Sequence, residues 1–354
     1  MITDLRLQRF RSYHDASFEL NPGVNIIVGP NASGKTNLLE ALLVLARGRS
    51  YRVKDPELVQ FGKTWARIDA HNHAGTQRTI KITTKPEQKK TYELDGKSLK
   101  RLSLQQTLPA VLFEPNHLQL FAGGSERRRD YLDDLLEQTT PGYAAARRQY
   151  RRTLTQRNTL LKQGSNATAA KLFPWDLRLS QLGGVLVRAR SELAGRINDN
   201  LPGLYKKLSA TNTKVTIAYT NQWPVDSYES RFLKKLETGL TDDQQRGFTG
   251  HGPHREDLVM HFDGRPAQET ASRGETRTAI LGLKIIELQT IEGIRATTPL
   301  LLLDDVFSEL DGRRRRALTE HLAPYQTFIT TTDADTVVGH FTGSAHVIPL
   351  SSGN

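Results

Sequence analysis

A glycine-rich octapeptide is the feature that most constrains the fold of this 354-residue chain. Residues 29–36 read GPNASGKT and match the pattern GxxxxGK[ST], in which a tight turn points backbone N–H groups inward at phosphate oxygens. The apolar run 25–28 before the loop is typical of a short buried strand, and the Leu- and Ala-rich stretch 37–46 after it is typical of a buried helix. A strand, a glycine loop and a helix in this order predict a phosphate site at a helix N-terminus.

The chemistry of the pattern assigns a role to each residue of the loop. Lys35 is expected to neutralise the β- and γ-phosphates of ATP and to take part in catalysis, and Thr36 to ligate Mg²⁺. The residues predicted to bind the nucleotide are Gly29, Pro30, Asn31, Ala32, Ser33, Gly34, Lys35 and Thr36.

An apolar run that ends in two aspartates is the natural partner of this loop. Residues 299–311 read PLLLLDDVFSELD, and the four leucines predict a fully buried parallel strand. Strands of that kind deliver functional groups at their carboxyl ends. We therefore expect Asp304 to help hold Mg²⁺ and Asp305 to orient or deprotonate the attacking water.

A second candidate anion site lies upstream of that strand. Ser272 and Gly274 stand just before a predicted helix over 275–292, whose apolar residues recur at helical spacing. A small polar residue and a glycine at a helix start suit an anion. An ordinary N-cap is the alternative interpretation of the same residues.

The order of predicted elements indicates an α/β fold with an insertion. Strand patterns fill 64–112, helical patterns dominate from 125 to 200, and α/β character returns from about 245 onward. We expect residues 1–125 and 245–354 to form one ATP-binding head, and residues 126–244 to form a mostly helical inserted lobe.

Composition limits the compartment and the partners. The chain has no cysteine, no apolar run of about 18 residues and no signal-peptide pattern near its N-terminus, which predicts a cytoplasmic protein without a membrane span. Its net charge of +11 favours a polyanion such as nucleic acid, although a basic balance also serves solubility.

The motifs in this order resemble the ABC/SMC class of ATPases and, within it, the RecF family of bacterial recombination and gap-repair proteins. The resemblance covers nearly the whole chain, so it implies an ABC/SMC-like P-loop ATPase head. It is carried by LRLQRFRSY, GPNASGKTNLLEAL, VLFEPNHLQLFAGGSERRRDYLD, GPHRED and LLLLDDVFSELDGRR.

The resemblance implies more than a fold. Heads of this class dimerise on ATP, and the loop of one subunit and the signature of the other, here Ser272, Arg273 and Gly274, enclose each nucleotide. Asp311 would belong to the D-loop that crosses the dimer interface. The family further implies binding of single-stranded, gapped or junction DNA, help in loading a recombinase, a RecR-type mediator as partner, and a place in DNA repair, replication and the SOS response.

Several positions depart from the pattern of the class. Glu275 stands where Gln is common, Asp305 where many ABC ATPases have Glu, and threonines at 330–332 where a switch histidine is expected. Gln119 is only a candidate for the Q-loop glutamine, and Arg11 is a candidate nucleotide contact. These departures predict a slow ATPase that serves as a switch.

Two other functions use the same loop. A nucleotide-binding subunit of a membrane transporter would have a complete LSGGQ signature and a shorter insertion, and a small-molecule kinase would leave the signature and D-loop unexplained. The arginine runs at 127–129, 147–152 and 313–316 are candidate phosphate contacts. The alternatives are that these arginines are solvated or that they pair with Asp130, Asp133 and Asp134. The histidine pairs at 71 and 73 and at 251 and 254 are interpreted as structural.

Overall fold

The computed structural model describes residues 1–333, 337–339, 341 and 345–351. It divides into two compact units, one formed by Met1–Leu118 with Glu287–Asn354 and the other by Gln119–Ile286. The assignment of 1–125 and 245–354 to a head and of 126–244 to an inserted lobe stays a prediction. Among the described residues, no helix has both the length and the apolar character needed to cross a bilayer.

Most of the strands belong to the first unit, and helices dominate the second. The strands are β1 (Ile2–Phe10), β2 (Tyr13–Glu19), β3 (Val24–Val28), β4 (Trp65–Asn72), β5 (Gln77–Thr83), β6 (Lys89–Leu94), β7 (Lys97–Leu99), β8 (Ala110–Phe113), β9 (Val215–Thr220), β10 (Asp257–Phe262), β11 (Arg265–Pro266), β12 (Leu300–Asp304), β13 (Thr327–Thr331) and β14 (His346–Pro349). The helices are α1 (Lys35–Arg47), α2 (Ser125–Thr139), α3 (Tyr143–Leu161), α4 (Ala169–Ser209), α5 (Tyr228–Thr238), α6 (Leu240–Arg246), α7 (Ala267–Thr270), α8 (Arg273–Arg295), α9 (Val306–Glu309) and α10 (Gly312–Leu322).

A parallel sheet in the order β14-β3-β13-β12-β8 forms the centre of the first unit. Strands β12 and β13 are buried over their full length, which is why β12 reads as an unbroken apolar run. Because all five strands are parallel, their carboxyl ends meet at one edge of the sheet. The loop after β3, the end of β12 and the end of β13 are therefore neighbours.

An antiparallel sheet in the order β2-β1-β4-β5-β6-β7 completes this unit. Its strands alternate apolar and polar residues, so that one face is buried and the other exposed. Leu5, Leu7, Ile68 and Ile80 from the buried face share a core with the leucines of α1. Helix α1 is thus held from several sides, and the glycine loop at its start is fixed with it.

The second unit contains α2 to α7 and a small antiparallel sheet in the order β11-β10-β9. Its longest helix, α4, has 41 residues and continues through Pro174 and Pro202. The sequence predicts helical patterns only up to residue 200, whereas α4 continues to Ser209 through Pro202, a residue type that usually interrupts a helix. Packing of the buried side chains of α4 against α3 and α5 outweighs the local preference.

Candidate nucleotide-binding site

The loop of residues 29–36 joins β3 to α1 and has the backbone of a phosphate cradle. Gly34 has a φ of 99°, in the left-handed region that favours glycine, and caps the N-terminus of α1. A Cβ atom on Gly34 would lie 2.9 Å from the Tyr13 hydroxyl, and one on Gly29 would lie 2.6 Å from both the Leu350 carbonyl and Ser33 Oγ. Both positions therefore require glycine for space, and Gly34 requires it for conformation as well.

Two polar side chains in the loop have the properties expected of phosphate ligands. The Lys35 amine donates to the carbonyls of Gly29 at 2.6 Å and Pro30 at 2.8 Å, and so lies over the loop. Burial lowers the pKa of Lys35, and the carboxylates of Asp305 and Asp304 oppose that shift. The Ser33 hydroxyl is buried and has no hydrogen-bond partner in the described ranges. The loop therefore fits a polyphosphate.

Asp304 lies at the end of β12 and connects three elements. Its Oδ1 accepts hydrogen bonds from Thr36 Oγ1 at 3.1 Å and from Thr330 Oγ1 at 2.8 Å. The Tyr51 hydroxyl is 3.4 Å from Oδ2. The hydroxyl of Thr36 and the carboxylate of Asp304 are thus adjacent, and hard oxygen ligands of this kind suit Mg²⁺.

Asp305 follows in a left-handed conformation, with a φ of 52°. Aspartate tolerates this region better than most residues. Its N–H donates to Thr330 Oγ1 at 2.9 Å, and its carbonyl accepts from Ser308 Oγ at 2.7 Å. Burial raises the pKa of the Asp305 carboxyl, with a contribution from Asp304, while Lys35 opposes the shift. These properties suit a general base.

Thr330 is a site residue that sequence reasoning missed. It was noted only as part of the threonine run in place of a switch histidine, yet its hydroxyl bridges the Asp304 carboxylate and the Asp305 amide. The bridge depends on the register of β12 with β13, which places Thr330 opposite Asp304. No local signal in the sequence reveals that register.

We expect Thr330→Val to lower the free energy of unfolding by about 1–3 kcal/mol, because the buried carboxylate of Asp304 loses a donor and the amide of Asp305 loses its acceptor. Thr330→Ser keeps the hydroxyl and should lose clearly less. Equilibrium denaturation of both variants measures the difference. A Thr330→Val variant as stable as wild type would show that the hydroxyl of Thr330 does not stabilise the site.

Beside the loop, the first unit contains a cavity of about 530 Å³. Arg11, Ser12 and Asn37 lie on one side of it, with Gln60 and Phe61 among the other lining residues. Ser12 Oγ accepts from Asn37 Nδ2 at 3.0 Å, so the cavity adjoins the start of α1. Gln60 Oε1 is buried without a hydrogen-bond partner in the described ranges, and Phe61 is fully exposed.

Arg11, the candidate nucleotide contact, is engaged within this unit. Its Nε donates to Glu40 Oε2 at 2.7 Å, and its guanidinium also reaches the carbonyl of Glu57 at 3.2 Å. Glu40 is completely buried in α1, so the arginine balances a buried charge. A contact of Arg11 with nucleotide stays a prediction.

The signature residues lie in the second unit, at the start of α8. The backbone N–H of Ser272 donates to Glu275 Oε2 at 2.8 Å, and the N–H of Glu275 donates back to Ser272 Oγ at 3.2 Å. This reciprocal arrangement is a capping box, and Arg273 and Gly274 form the first turn that it closes. In the single chain, Ser272 is therefore an N-cap. The hydrogen bond from its backbone N–H to Glu275 gives a structural role to a glutamate at this position.

Asp311 is likewise an N-cap in the single chain. Its carboxylate accepts from the backbone N–H of Arg314 at 2.9 Å at the start of α10, and it also pairs with the Arg314 side chain. Gln119 ends a 3₁₀ turn and is exposed, and its carbonyl accepts from Gly123 at 3.0 Å. The roles of Asp311 at a dimer interface and of Gln119 in a Q-loop stay predictions.

Two members of the arginine runs are buried and have carboxylate partners. Arg128 is buried and forms a bidentate ion pair with Asp257, at 2.7 and 2.8 Å. Arg147 is buried against Asp130, Asp133 and Glu137. Of the alternatives for the run at 147–152, Arg147 follows the pairing with Asp130 and Asp133, and burial and three carboxylates keep its guanidinium from phosphates.

A glycine loop before a helix, an acidic strand end and a bridging threonine on one edge of a parallel sheet define a P-loop nucleotide-binding head of the ABC/SMC-like class. The model of the RecF/RecN/SMC N-terminal domain matches residues 1–341. The chain belongs to that family and, within it, to the RecF proteins.

Known relatives match over almost the entire chain. The DNA replication and repair protein RecF of Heliobacterium modesticaldum is 36% identical, with 99% of this chain and 98% of the relative covered. A solved structure of the recombination mediator protein RecF-ATPrS in the RecFOR pathway has a TM-score of 0.89 at 28% identity and covers 99% of this chain and 97% of its own. The corresponding RecF-ATP structure has a TM-score of 0.86 at 28% identity, with 100% and 96% covered. These matches confirm the predicted fold class and support neither the transporter nor the kinase alternative.

Proposed function

We propose that this chain is an ATP-dependent DNA-binding protein of recombinational repair and replication-gap processing. The observation that carries the proposal is the cluster formed by Lys35, Thr36, Asp304 and Asp305 at one edge of the parallel sheet. Similarity to RecF proteins over the whole chain supports the DNA-repair assignment, since those relatives are named for replication and repair. A cytoplasmic location and a link to the SOS response are part of the same proposal.

ATP with Mg²⁺ is the proposed ligand of the loop. Lys35 would exchange its bonds to the Gly29 and Pro30 carbonyls for phosphate oxygens, and the Ser33 hydroxyl would gain the partner that it lacks. Thr36 and Asp304 would hold Mg²⁺, which offsets phosphate charge when bound. Asp305 would accept a proton from the attacking water.

The cavity beside α1 is the proposed site of the nucleoside. The α-phosphate of a nucleotide in such a loop lies near the start of the helix, and Asn37 at that point also lines the cavity. Its volume falls within the usual range for small-molecule sites, about 300–1,000 Å³. The exposed ring of Phe61 offers a stacking surface, and the unpaired Gln60 Oε1 is an acceptor that suits the exocyclic amine of adenine.

A complete site would need a second copy of the chain. Ser272 to Gly274 of one subunit would face the nucleotide bound by residues 29–36 of the other, and Asp311 would lie at the interface. ATP would then favour a homodimer that binds single-stranded, gapped or junction DNA. Slow hydrolysis would release the dimer from DNA. A RecR-type mediator would be its partner there, and the protein would help to load a recombinase onto the DNA.

The test combines light scattering with fluorescence anisotropy on gapped duplex, blunt duplex and single-stranded DNA. Each is measured with ATP, a non-hydrolysable analogue, ADP and no nucleotide. We expect the analogue to produce dimers and to tighten DNA binding. A protein that stays monomeric and ignores DNA in every nucleotide state would overturn the proposal.

Lys35→Met should weaken nucleotide binding by about 10- to 100-fold. The reason is that a hydrogen bond to a charged group contributes about 1.5–3 kcal/mol, and each 1.4 kcal/mol is about tenfold in affinity. Titration with a fluorescent ATP analogue measures the loss. Thermal unfolding without nucleotide is the control, since within the part of the chain that the structure describes the amine contacts only two loop carbonyls at hydrogen-bond distance. If this variant binds the ATP analogue as tightly as the wild type does, Lys35 does not contact the nucleotide.

A further inference from the structure

Positive charge is concentrated in one segment of the second unit. Residues 138–191 contain ten Lys and Arg residues and a single acidic residue, Asp176, and so carry +9 of the chain's net +11. This segment forms α3 and the first half of α4. The remaining 300 residues are therefore close to neutral as a whole.

Three of the ten cations are structural. Arg147, Arg157 and Arg190 are buried, and each forms an ion pair with a buried aspartate. Asp176, the one acidic residue of the segment, is a partner of Arg157 and is itself 4% exposed. The exposed surface of the segment thus has no acidic side chain of its own.

The other seven cations are exposed. They are Arg148, Arg151, Arg152, Lys162, Lys171, Arg178 and Arg188. Among the described residues, Arg151 alone of these seven has a carboxylate within 4.0 Å, namely Asp130 at 3.2 Å. The Arg178 guanidinium donates to Gln149 Oε1 at 2.6 Å, which ties the cation on α4 to the exposed side of α3.

This arrangement is unfavourable for a helix that only faces water. Arg148 and Arg152 are four residues apart, where like charges destabilise a helix by about 0.2–0.5 kcal/mol per pair. Solvated helices usually alternate the sign of their charges, yet α3 has five arginines and no acidic residue. A polyanionic partner would remove the repulsion.

The spacing and chemistry of the patch suit the backbone of duplex DNA. One helical turn separates Arg148 from Arg152, a rise of about 6 Å, close to the distance spanned by two nucleotide steps of about 3.4 Å each. Both tyrosines of α3, Tyr143 and Tyr150, are buried, so its exposed face offers no stacking platform for single-stranded bases. Arginine forks pair well with phosphates.

We propose that Arg148, Arg152 and Arg178 form a surface, here called the arginine arm, that binds the phosphate backbone of duplex DNA without reading its sequence. The inference rests on the proposed function and places one DNA contact on the second unit. Arg151 contributes less because Asp130 already partners it.

The test compares two triple variants with the same loss of charge. Arg148→Gln/Arg152→Gln/Arg178→Gln changes the arginine arm, and Lys97→Gln/Lys100→Gln/Arg101→Gln changes exposed cations in and after β7 of the first unit. Affinity for blunt duplex, gapped duplex and single-stranded DNA is measured by anisotropy over a series of NaCl concentrations with the non-hydrolysable ATP analogue. Each lost phosphate contact lowers the slope of log K against log[salt] by about 1.

We expect the slope for duplex to fall by about 2–3 in the arm variant and to stay unchanged in the control variant. Light scattering should find dimers with the analogue in both, because these side chains are exposed. Provided that the wild type binds DNA, any of three results would overturn the arginine arm. These are an unchanged slope in the arm variant, an equal fall of the slope in both variants, and a fall seen only with single-stranded DNA. Failure of the wild type to bind any DNA would overturn the proposed function as well. If the triple variant misfolds, Arg152→Gln alone should lower the slope by about 1.

Discussion

Asp305→Asn is expected to slow ATP hydrolysis by about 10²- to 10⁴-fold, the contribution of a positioned general base. Asparagine has the same shape and also tolerates the left-handed backbone at this position. The hydrogen bonds of the Asp305 backbone to Thr330 and Ser308 should survive. Only the capacity to accept a proton is lost. Phosphate release under single-turnover conditions, with saturating ATP and DNA, measures the effect.

The pH dependence of hydrolysis provides a second readout for Asp305. Burial raises the pKa of this carboxyl, so the basic form is lost at a higher pH than for an ordinary aspartate. The wild-type rate should therefore fall as the pH drops through that raised pKa, and the residual rate of the Asn variant should lack this step. Nucleotide affinity, measured in parallel, should be nearly unchanged. Hydrolysis by the Asn variant at close to the wild-type rate would exclude Asp305 as the base.

The wild-type rate itself is expected to be low. Aspartate at this position is one methylene shorter than glutamate, and the threonine run replaces a switch histidine. A turnover number above about 10 s⁻¹, the median for enzymes, would contradict the interpretation of this protein as a slow switch.

The parts of the site that the sequence predicts are local. The spacing of Gly29, Gly34, Lys35 and Thr36 specifies a loop whose conformation depends on its own residues and on the strand and helix beside it. The leucine run before Asp304 indicates a buried strand for a similar reason, since parallel strands are apolar on both faces. Both features are present in the structure as predicted.

The parts that sequence reasoning missed depend on pairing between distant segments. Thr330 joins Asp304 to Asp305 only because β13 lies beside β12 in one particular register. Arg147 and Arg148 are adjacent and chemically identical, yet one is buried against three carboxylates and the other is exposed. The difference comes from where α2 places Asp130 and Asp133. The sequence offers these aspartates as possible partners but does not indicate which arginine of the run meets them.

Arg157→Met is expected to lower the free energy of unfolding by about 3–5 kcal/mol, the usual effect of removing one partner of a buried ion pair. Arg157 is completely buried on α3. Its guanidinium donates to Asp176 of α4 at 2.5 Å, and to Asp243 of α6 at 2.7 Å. Methionine fills a similar volume but leaves two buried carboxylates without their cation.

Denaturant unfolding of the full chain, monitored for the transition of the second unit, measures this loss. Arg148→Met on the exposed side of the same helix is the matched control and should change the free energy by no more than about 0.5 kcal/mol. If the two variants lose the same amount, the buried network is not what stabilises the packing of α3 against its neighbours.

The destabilisation caused by Arg157→Met should depend on pH in a predictable direction. Burial raises the pKa of Asp176, and Arg157 is the main group that opposes this shift. Without Arg157 the pKa of Asp176 rises further above its unfolded value, so the folded variant takes up a proton more readily than the unfolded chain. The loss relative to wild type should therefore be full above the raised pKa and should shrink as the pH falls below it.

Adding Asp176→Asn to the variant should recover part of the loss at neutral pH, because one buried charge is then gone. A loss that grows on acidification, or no recovery in the double variant, would show that the cost of Arg157→Met comes from packing and not from unpaired charge.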